Sequence, residues 1–364
     1  MKQEFLKITC TEVVSVNNGT RNLIVTILLI LSLSLSACSH SLVEIHHPWE
    51  TSLFENIRMP FELLEDTPYG DLAIQYIAFM NDNMDGRLAF TNREKETAIW
   101  LIETLLTIGY TWENIKIQEF SDEIASDYWS QHDWFEEGYQ TEAYSQNVIL
   151  TVPGQSDQII IVGAHYDSHP FPGASDNASG VALLLESAYR MLLLENYYTL
   201  VYVFFGAEEV GSAGSHYYVN ALSDAERDNI LFMINADALF EGPYLLYCAD
   251  YVEQGKMSVS ITVNAWNDIA YRHNNLSDIE IIKFPDSSEM PFGDHKAFFE
   301  VGVPVVLLIG LDKRDNGEYW LRSPHLQHTP QDCMHYISET WDGKIDRAML
   351  GFSIFLEEML LHSY

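Results

Sequence analysis

The sequence predicts an α/β fold: a single three-layer domain with a mostly parallel central sheet flanked by helices. Past Val148, apolar β-branched runs alternate with segments of helical periodicity. Parallel strands need crossover connections, and those are usually helices. The strand runs are apolar throughout rather than at every second position, as expected where helices cover both faces of a sheet. With 47% of 364 residues hydrophobic and 13% aromatic, the chain can bury a large core.

The elements follow in order. Residues 71–80 and 91–108 repeat apolar positions at helical spacing, as in Ile99, Leu101, Ile102, Leu105 and Leu106. Thr91 or Asn92 is the expected N-cap of the second helix and Gly109 its stop. The acidic, aromatic stretch from Glu119 to Gln146 fits an insertion or a flap over a pocket. Residues 158–164 read as a buried strand, and 178–194 as a helix with Leu183, Leu184, Ala188 and Met191 inward. A strand over 199–205, a helix near 215–221, and strands over 230–236 and 303–309 complete the pattern.

Acidic residues outnumber basic ones 53 to 19, for a formal charge of −34. Such a surface repels phosphate backbones and anionic headgroups, which excludes nucleic acid as a partner and a basic membrane-binding face. Solubility is the simplest account of the acidity.

At the N-terminus, Lys2, Lys7 and Arg21 precede an apolar run from Leu23 to Leu35. The run is short for a membrane span and has the layout of a secretory signal. It ends in Leu35-Ser36-Ala37-Cys38, which resembles the lipobox of bacterial lipoproteins. That resemblance implies a signal over residues 1–37, removal of the signal, and a lipid on Cys38. It also implies an extracytoplasmic location, on the cell membrane or the outer membrane. An uncleaved anchor or an ordinary signal peptide is the alternative. Residues 38–60 are then a tether and 61–364 the folded domain. Cys248 and Cys333 are expected as two buried free thiols.

Open α/β sheets bind ligands outside the carboxyl ends of their strands. Three predicted strands end in groups that can ligate metal: the first in His165-Tyr166-Asp167, the second in Glu208-Glu209, the third in Asp237. Asp176 stands just ahead of a helix, where alone it would read as an N-cap. Imidazoles and carboxylates are the ligands of catalytic zinc. A two-metal site needs about two histidines and three carboxylates, plus one free carboxylate as base. His165, Asp176, Glu209 and Asp237 supply four ligands, Glu208 can serve as base, and His328 on a late loop is the best remaining histidine. His325 is a rival for that place. His46, His47, His169, His216 and His335 have no supporting context.

Five ordered motifs carry a family resemblance. They are His165-Tyr166-Asp167-Ser168, the run from Gly173 to Gly180, the run from Gly206 to Ser215, Asn235-Ala236-Asp237, and His328-Thr329-Pro330. Gly293-Asp294-His295 with Phe298, and Gly302-Val303-Pro304, match further. Together they resemble the co-catalytic di-zinc aminopeptidases of the bacterial leucyl aminopeptidase type.

The resemblance implies two Zn2+ ions. One would sit on His165, Asp176 and Asp237, and the other on Asp176, Glu209 and His328, so that Asp176 bridges. It also implies that Asp167 orients His165, that the Asp176–Asn177 peptide is cis, and that Glu208 is the base in hydrolysis of the first peptide bond of a substrate with a free N-terminus. One departure stands out. Where several members carry a tyrosine near the metals, this chain has Met290 before Gly293, and Gln327 precedes His328. The rival readings are a glutaminyl cyclase on the same fold, with one zinc, and a catalytically inactive binding lipoprotein.

Overall fold

The computed structural model describes residues 67–122, 141–241, 244–249, 279–283, 292–313, 319–320 and 326–362. The expected signal and lipobox, the tether, His46, His47, Met290 and His325 lie outside the described residues.

Helix α1 spans Asp71–Asn83 and α2 Asn92–Ile108. Thr91 caps α2, its side chain accepting from the amide of Glu94, and Gly109 closes it, as the residue types require. Strands β1 (Ile115–Phe120) and β2 (Ser145–Val152) pair antiparallel. They form the two ends of the acidic stretch, so its flanks belong to the sheet rather than to an insertion. Its middle, 123–140, lies outside the described residues.

Strand β3 (Ser156–His165) leads through a π-type turn at Ala174–Ser179 into α3 (Gly180–Leu193). The expected helix therefore starts two residues late. Asp176 and Asn177 have non-helical backbone inside the turn, and the wider turn they open gives way to the regular α-helix at Gly180. Next come β4 (Tyr198–Phe205), α4 (Ala213–Ala221), α5 (Asp224–Asn229) and β5 (Ile230–Ala236). The last part comprises β6 (Tyr244–Ala249), β7 (Ile279–Lys283), α6 (His295–Glu300), β8 (Val305–Lys313), β9 (Tyr319–Trp320), α7 (Met334–Thr340) and α8 (Lys344–His362). Strand β8 begins at Val305 rather than 303, after Pro304, which has no amide proton to give a ladder.

The strand order is β1-β2-β4-β3-β5-β8-β6-β7, with β9 on β8. The four central strands, β4, β3, β5 and β8, run parallel. The pairs β1–β2, β2–β4 and β8–β6 are antiparallel. The sheet is thus mixed, with four parallel strands at the centre and a further parallel pair, β6–β7, at one edge.

Alternate residues of the central strands serve two cores. Ile160, Val162, Leu200, Tyr202, Phe204 and Ile234 pack with α1, α3 and α8. Ile161, Val201, Val203, Phe205 and Met233 pack with α4 and α6. Both faces are covered, which is why these strands read as unbroken apolar runs.

A buried carboxylate fixes the first layer: Glu186 on α3 accepts from the amides of Gly70 and Ala73, both at 2.8 Å. It thereby satisfies donors that the first turn of α1 leaves open, at the end where negative charge is favoured.

Candidate metal centre

Chain order reverses at β3, with β4 on one side and β5 on the other. Gaps of this kind at strand carboxyl ends are where open sheets hold ligands. Register then sets the site. His165 pairs with Phe205 at the end of β4. Gly163 pairs with Asn235, so His165 and Asp237, each two residues on, leave the sheet side by side. His165 Nε2 lies 3.4 Å from Asp237 Oδ1.

Asp176 reaches the same point from the π-type turn, and the structure explains its placement. Its amide and that of Ser175 donate to Asp332 at 2.9 and 2.6 Å. Asn177 donates to the carbonyl of Ala236 and accepts from the amide of Gly180, both at 2.9 Å. A Cβ on Gly180 would come within 2.3 Å of the Ala236 carbonyl oxygen, so only glycine lets the turn lie this close to β5. The Asp176–Asn177 peptide is cis, as the resemblance implies.

With this backing, the Asp176 carboxylate faces two ways. Oδ1 is 3.1 Å from His165 Nε2 and Oδ2 is 3.3 Å from His328 Nε2. His328 Nε2 also lies 3.0 Å from Glu209 Oε2. All five predicted ligands therefore converge in one linked cluster.

Glu208 and Glu209 leave β4 on a turn held by two other carboxylates. Asp167 accepts from the amides of Glu208 and Glu209 at 3.0 and 3.1 Å. Glu94, fully buried on α2, accepts from Ala207 N, Ser145 Oγ and Phe90 N at 2.9, 2.7 and 2.7 Å. Ser212 Oγ donates to Glu208 Oε1 at 3.0 Å. Asp167 meets His165 somewhat differently from expectation. The carbonyl oxygen of Asp167 is 3.1 Å from His165 Nδ1 and its carboxylate 3.5 Å, because that carboxylate is directed at the two glutamate amides.

The electrostatics follow from many acids in little water. Burial works against protonation of His165, but hydrogen bonds with Asp167, Asp176 and Asp237 outweigh it and hold its pKa well above the ordinary value. The Asp176 carboxyl is depressed far below the usual range: burial opposes this, and the two histidines prevail. Burial raises Glu208 well above the usual range; His165 counters it, while Asp294, Glu209 and Asp237 reinforce it. Burial likewise raises Asp237 and carries Asp294 to about 7.

Two observations test whether these residues fit metal ions. Ligand atoms about 2.0–2.2 Å from a tetrahedral ion stand roughly 3.3–3.5 Å from one another. The nitrogen–oxygen separations across this cluster, 3.0 to 3.4 Å, come within a few tenths of that spacing. Glu209 Oε1 is buried with no hydrogen-bond partner among the described residues. A buried carboxylate oxygen in that condition needs a cation. The donors fit.

The profile of peptidase family M28 matches residues 147–353. The chain belongs to peptidase family M28. The matched span runs from β2 into α8 and contains all five candidate ligands and Glu208. Aminopeptidase YwaD of Bacillus subtilis is 30% identical over 206 residues, which are 55% of this chain and 42% of that protein. The probable lipoprotein aminopeptidase LpqL of Mycobacterium tuberculosis is 40% identical over 98 residues, 26% of this chain and 20% of that one. The chain thus matches less than half the length of these curated relatives. Among solved structures, BSAP, a zinc aminopeptidase from Bacillus subtilis, superposes with a TM-score of 0.62 at 18% identity, covering 82% of this chain and 96% of that one. At that identity the likeness establishes the M28 fold.

Several residues escaped the sequence analysis. Arg87, fully buried, donates to the carbonyls of Tyr166, Met84, Pro172 and Gly173 at 2.7, 2.9, 2.7 and 3.2 Å. It pins the loop that runs from His165 to the π-type turn, yet nothing near Arg87 in sequence signals this. Glu94 was legible only as part of an amphipathic helix. Asp332 stands four residues after His328, and its carboxyl is pushed up to about 7, by burial first and by Asp176 second. His169, set aside for want of context, lies 3.3 Å from Glu209 through Nε2. Its spacing of four from His165 was the available signal. Gln327 is half-buried, and Cys333 is a free, half-buried thiol rather than a fully buried one. The Cys248 side chain lies outside the described residues.

Proposed function

We propose that this M28 chain is a zinc-dependent aminopeptidase that removes N-terminal residues from peptides. The observation that carries this reading is the single carboxylate of Asp176 shared between His165 and His328. One carboxylate serving two histidine-bearing positions is the arrangement a pair of metals about 3.5–4 Å apart requires. His165, Asp176 and Asp237 would hold one zinc, and Asp176, Glu209 and His328 the other. A complete donor set for the second metal favours hydrolysis over the one-zinc cyclase alternative.

Bound zinc would supply Lewis acidity, lowering the pKa of an attacking water and polarising the substrate carbonyl. The protein's own part falls to Glu208. Ser212 occupies its Oε1, leaving Oε2 to take the proton of the water and later release it to the departing amine. A raised carboxyl pKa suits that task, since a general base works best near the operating pH. Asp167 fixes the backbone on which Glu208 and Glu209 sit, so base and metal ligand keep a constant separation.

Residues 1–37 we assign as a lipoprotein signal, 38–60 as a tether and 61–364 as the peptidase domain, anchored outside the cytoplasm through Cys38. The motif at Cys38 and the match to a probable lipoprotein aminopeptidase support this. No helix among the described residues is long and apolar enough to cross a membrane.

Hydrolysis of a panel of aminoacyl-nitroanilides by the purified protein tests the activity. Turnover lost to a chelator and restored by Zn2+ is the expected result. Turnover that survives chelation, or acts only on N-terminally blocked substrates, would overturn the reading.

A further inference from the structure

Leu192 and Leu193 end α3, Leu194 follows them, and all three face solvent, 41%, 51% and 40% exposed. Tyr197, just before β4, is 48% exposed. The buried positions of α3 stop at Met191, so these leucines add nothing to the core. Glu195 carries the only charge among residues 192–197. Single exposed leucines are common on folded proteins, whereas a run of large apolar side chains in one surface segment marks an interaction surface. This surface lies far from the metal centre. Helix α3 starts at the π-type turn that carries Asp176 and rises about 1.5 Å per residue, which puts Leu193 roughly 20 Å from that turn. Strand β4 spans a similar length, from Tyr198 next to the patch to Phe205 just ahead of Glu208 and Glu209.

The start of the described chain lies against the same end of α3. Arg190, on its last turn, donates to the carbonyls of Thr67 and Pro68 at 3.1 and 2.9 Å. Its guanidinium also stands 4.0 Å from the centre of the Tyr69 ring. The chain that comes from Cys38 therefore joins these helices beside the exposed leucines. We propose that the surface formed by Leu192, Leu193, Leu194 and Tyr197 rests on the membrane that holds the Cys38 anchor, so that the metal centre points away from the lipid. The inference rests on the lipoprotein reading and deepens it from attachment to orientation. Fully extended, the chain from Cys38 to Thr67 reaches at most about 100 Å, so the anchor alone leaves the domain free to turn. An apolar face laid into the headgroup boundary supplies the second contact that a lipid chain lacks. Tyrosine suits that boundary, with an apolar ring and a polar tip. The formal charge of −34 selects zwitterionic headgroups, because anionic ones repel this protein. Peptides then reach the cluster from the aqueous side.

The test places the full chain, processed by a bacterial host, in phosphatidylcholine vesicles. An environment-sensitive dye is attached to Leu193→Cys or to Gln331→Cys, an exposed position close after His328. Dye taken up by the native cysteines is subtracted with labelled wild type. At position 193 the emission should shift to the blue on vesicles and be lost when nitroxide-bearing lipid is included. At position 331 neither change should occur. A protein that carries its lipid and sits on vesicles, yet shows no quenching at 193 or equal quenching at both positions, would overturn the proposal and leave the anchor intact. A blue shift at 193 without lipid quenching, together with cross-linked pairs, would overturn it in favour of a second copy on the patch. Quenching at 193 in protein whose mass shows no lipid on Cys38 would remove the anchor and keep the surface.

Discussion

Asp176 and Asp332 are joined back to back: the Asp332 carboxylate accepts the amides of Ser175 and Asp176, while the Asp176 carboxylate points away toward His165 and His328. One acid thus holds the backbone of another, and each direction carries an expectation.

Asp176→Asn removes the negative charge that two cations would share and turns one oxygen into a donor. Zinc content should fall by at least one equivalent, and kcat should drop by more than the roughly 10²–10⁴-fold expected for loss of acid–base chemistry alone. Elemental analysis beside single-substrate kinetics reads both. Full zinc content in the variant would rule out the bridging role.

Glu208→Gln should cost about 10²–10⁴-fold in kcat while leaving zinc content intact, because it removes a proton carrier rather than a ligand. Ser212→Ala should give a smaller loss confined to kcat, with KM unchanged, since it only frees Glu208 Oε1. Wild-type turnover in Glu208→Gln would refute its role as base.

Asp332 gives a pH dependence with a defined sign. Its folded carboxyl titrates near 7 and its unfolded one near 3.8. Between those values the folded state holds a proton that the unfolded chain has released, so this group's stabilising contribution is full below about 3.8 and declines as pH rises toward 7. Melting temperatures in chelator from pH 4 to 8 should therefore fall more steeply for wild type than for Asp332→Asn, which has no proton to lose. Parallel profiles would contradict the assignment. The same variant presents an amide nitrogen to one of two backbone donors, and zinc affinity should weaken by about 10–100-fold.

Arg87→Ala would strip partners from four carbonyl groups around the site loop. A loss on the order of 3–5 kcal/mol is expected. Arg87→Lys should recover little, since an ammonium cannot span the same fork of acceptors. Denaturant midpoints at fixed pH measure both.

Of the candidate ligands, His165, Glu209 and Asp237 were legible because each stands at or just past a strand end, where imidazole and carboxylate are unusual residues to find closing apolar runs, whereas Asp176 and His328 were legible through their motifs. The central strands were legible for the reason their faces are buried. What holds the ligands was not. Asp332 meets Asp176 across 156 positions of chain, and Glu94 meets Ala207 across 113. Local periodicity carries no trace of such contacts. The start of α3 was misjudged because Asp176 and Asn177 look like a cap and first turn, whereas they adopt a wider, non-helical path. Strands β6 and β7, at five or six residues each, are too short for pattern alone to separate from loop.

Asp167 grips two consecutive amides with one carboxylate, those of the turn that carries Glu208 and Glu209. The proposed proton shuttle and metal grip would therefore hang on a single hinge pin: any change that slides the pin would move both. Selection for a new substrate cannot retune the acid–base geometry from beneath without also loosening the ion. It has to work from the flank, through Ser212, or through loops that never touch this turn.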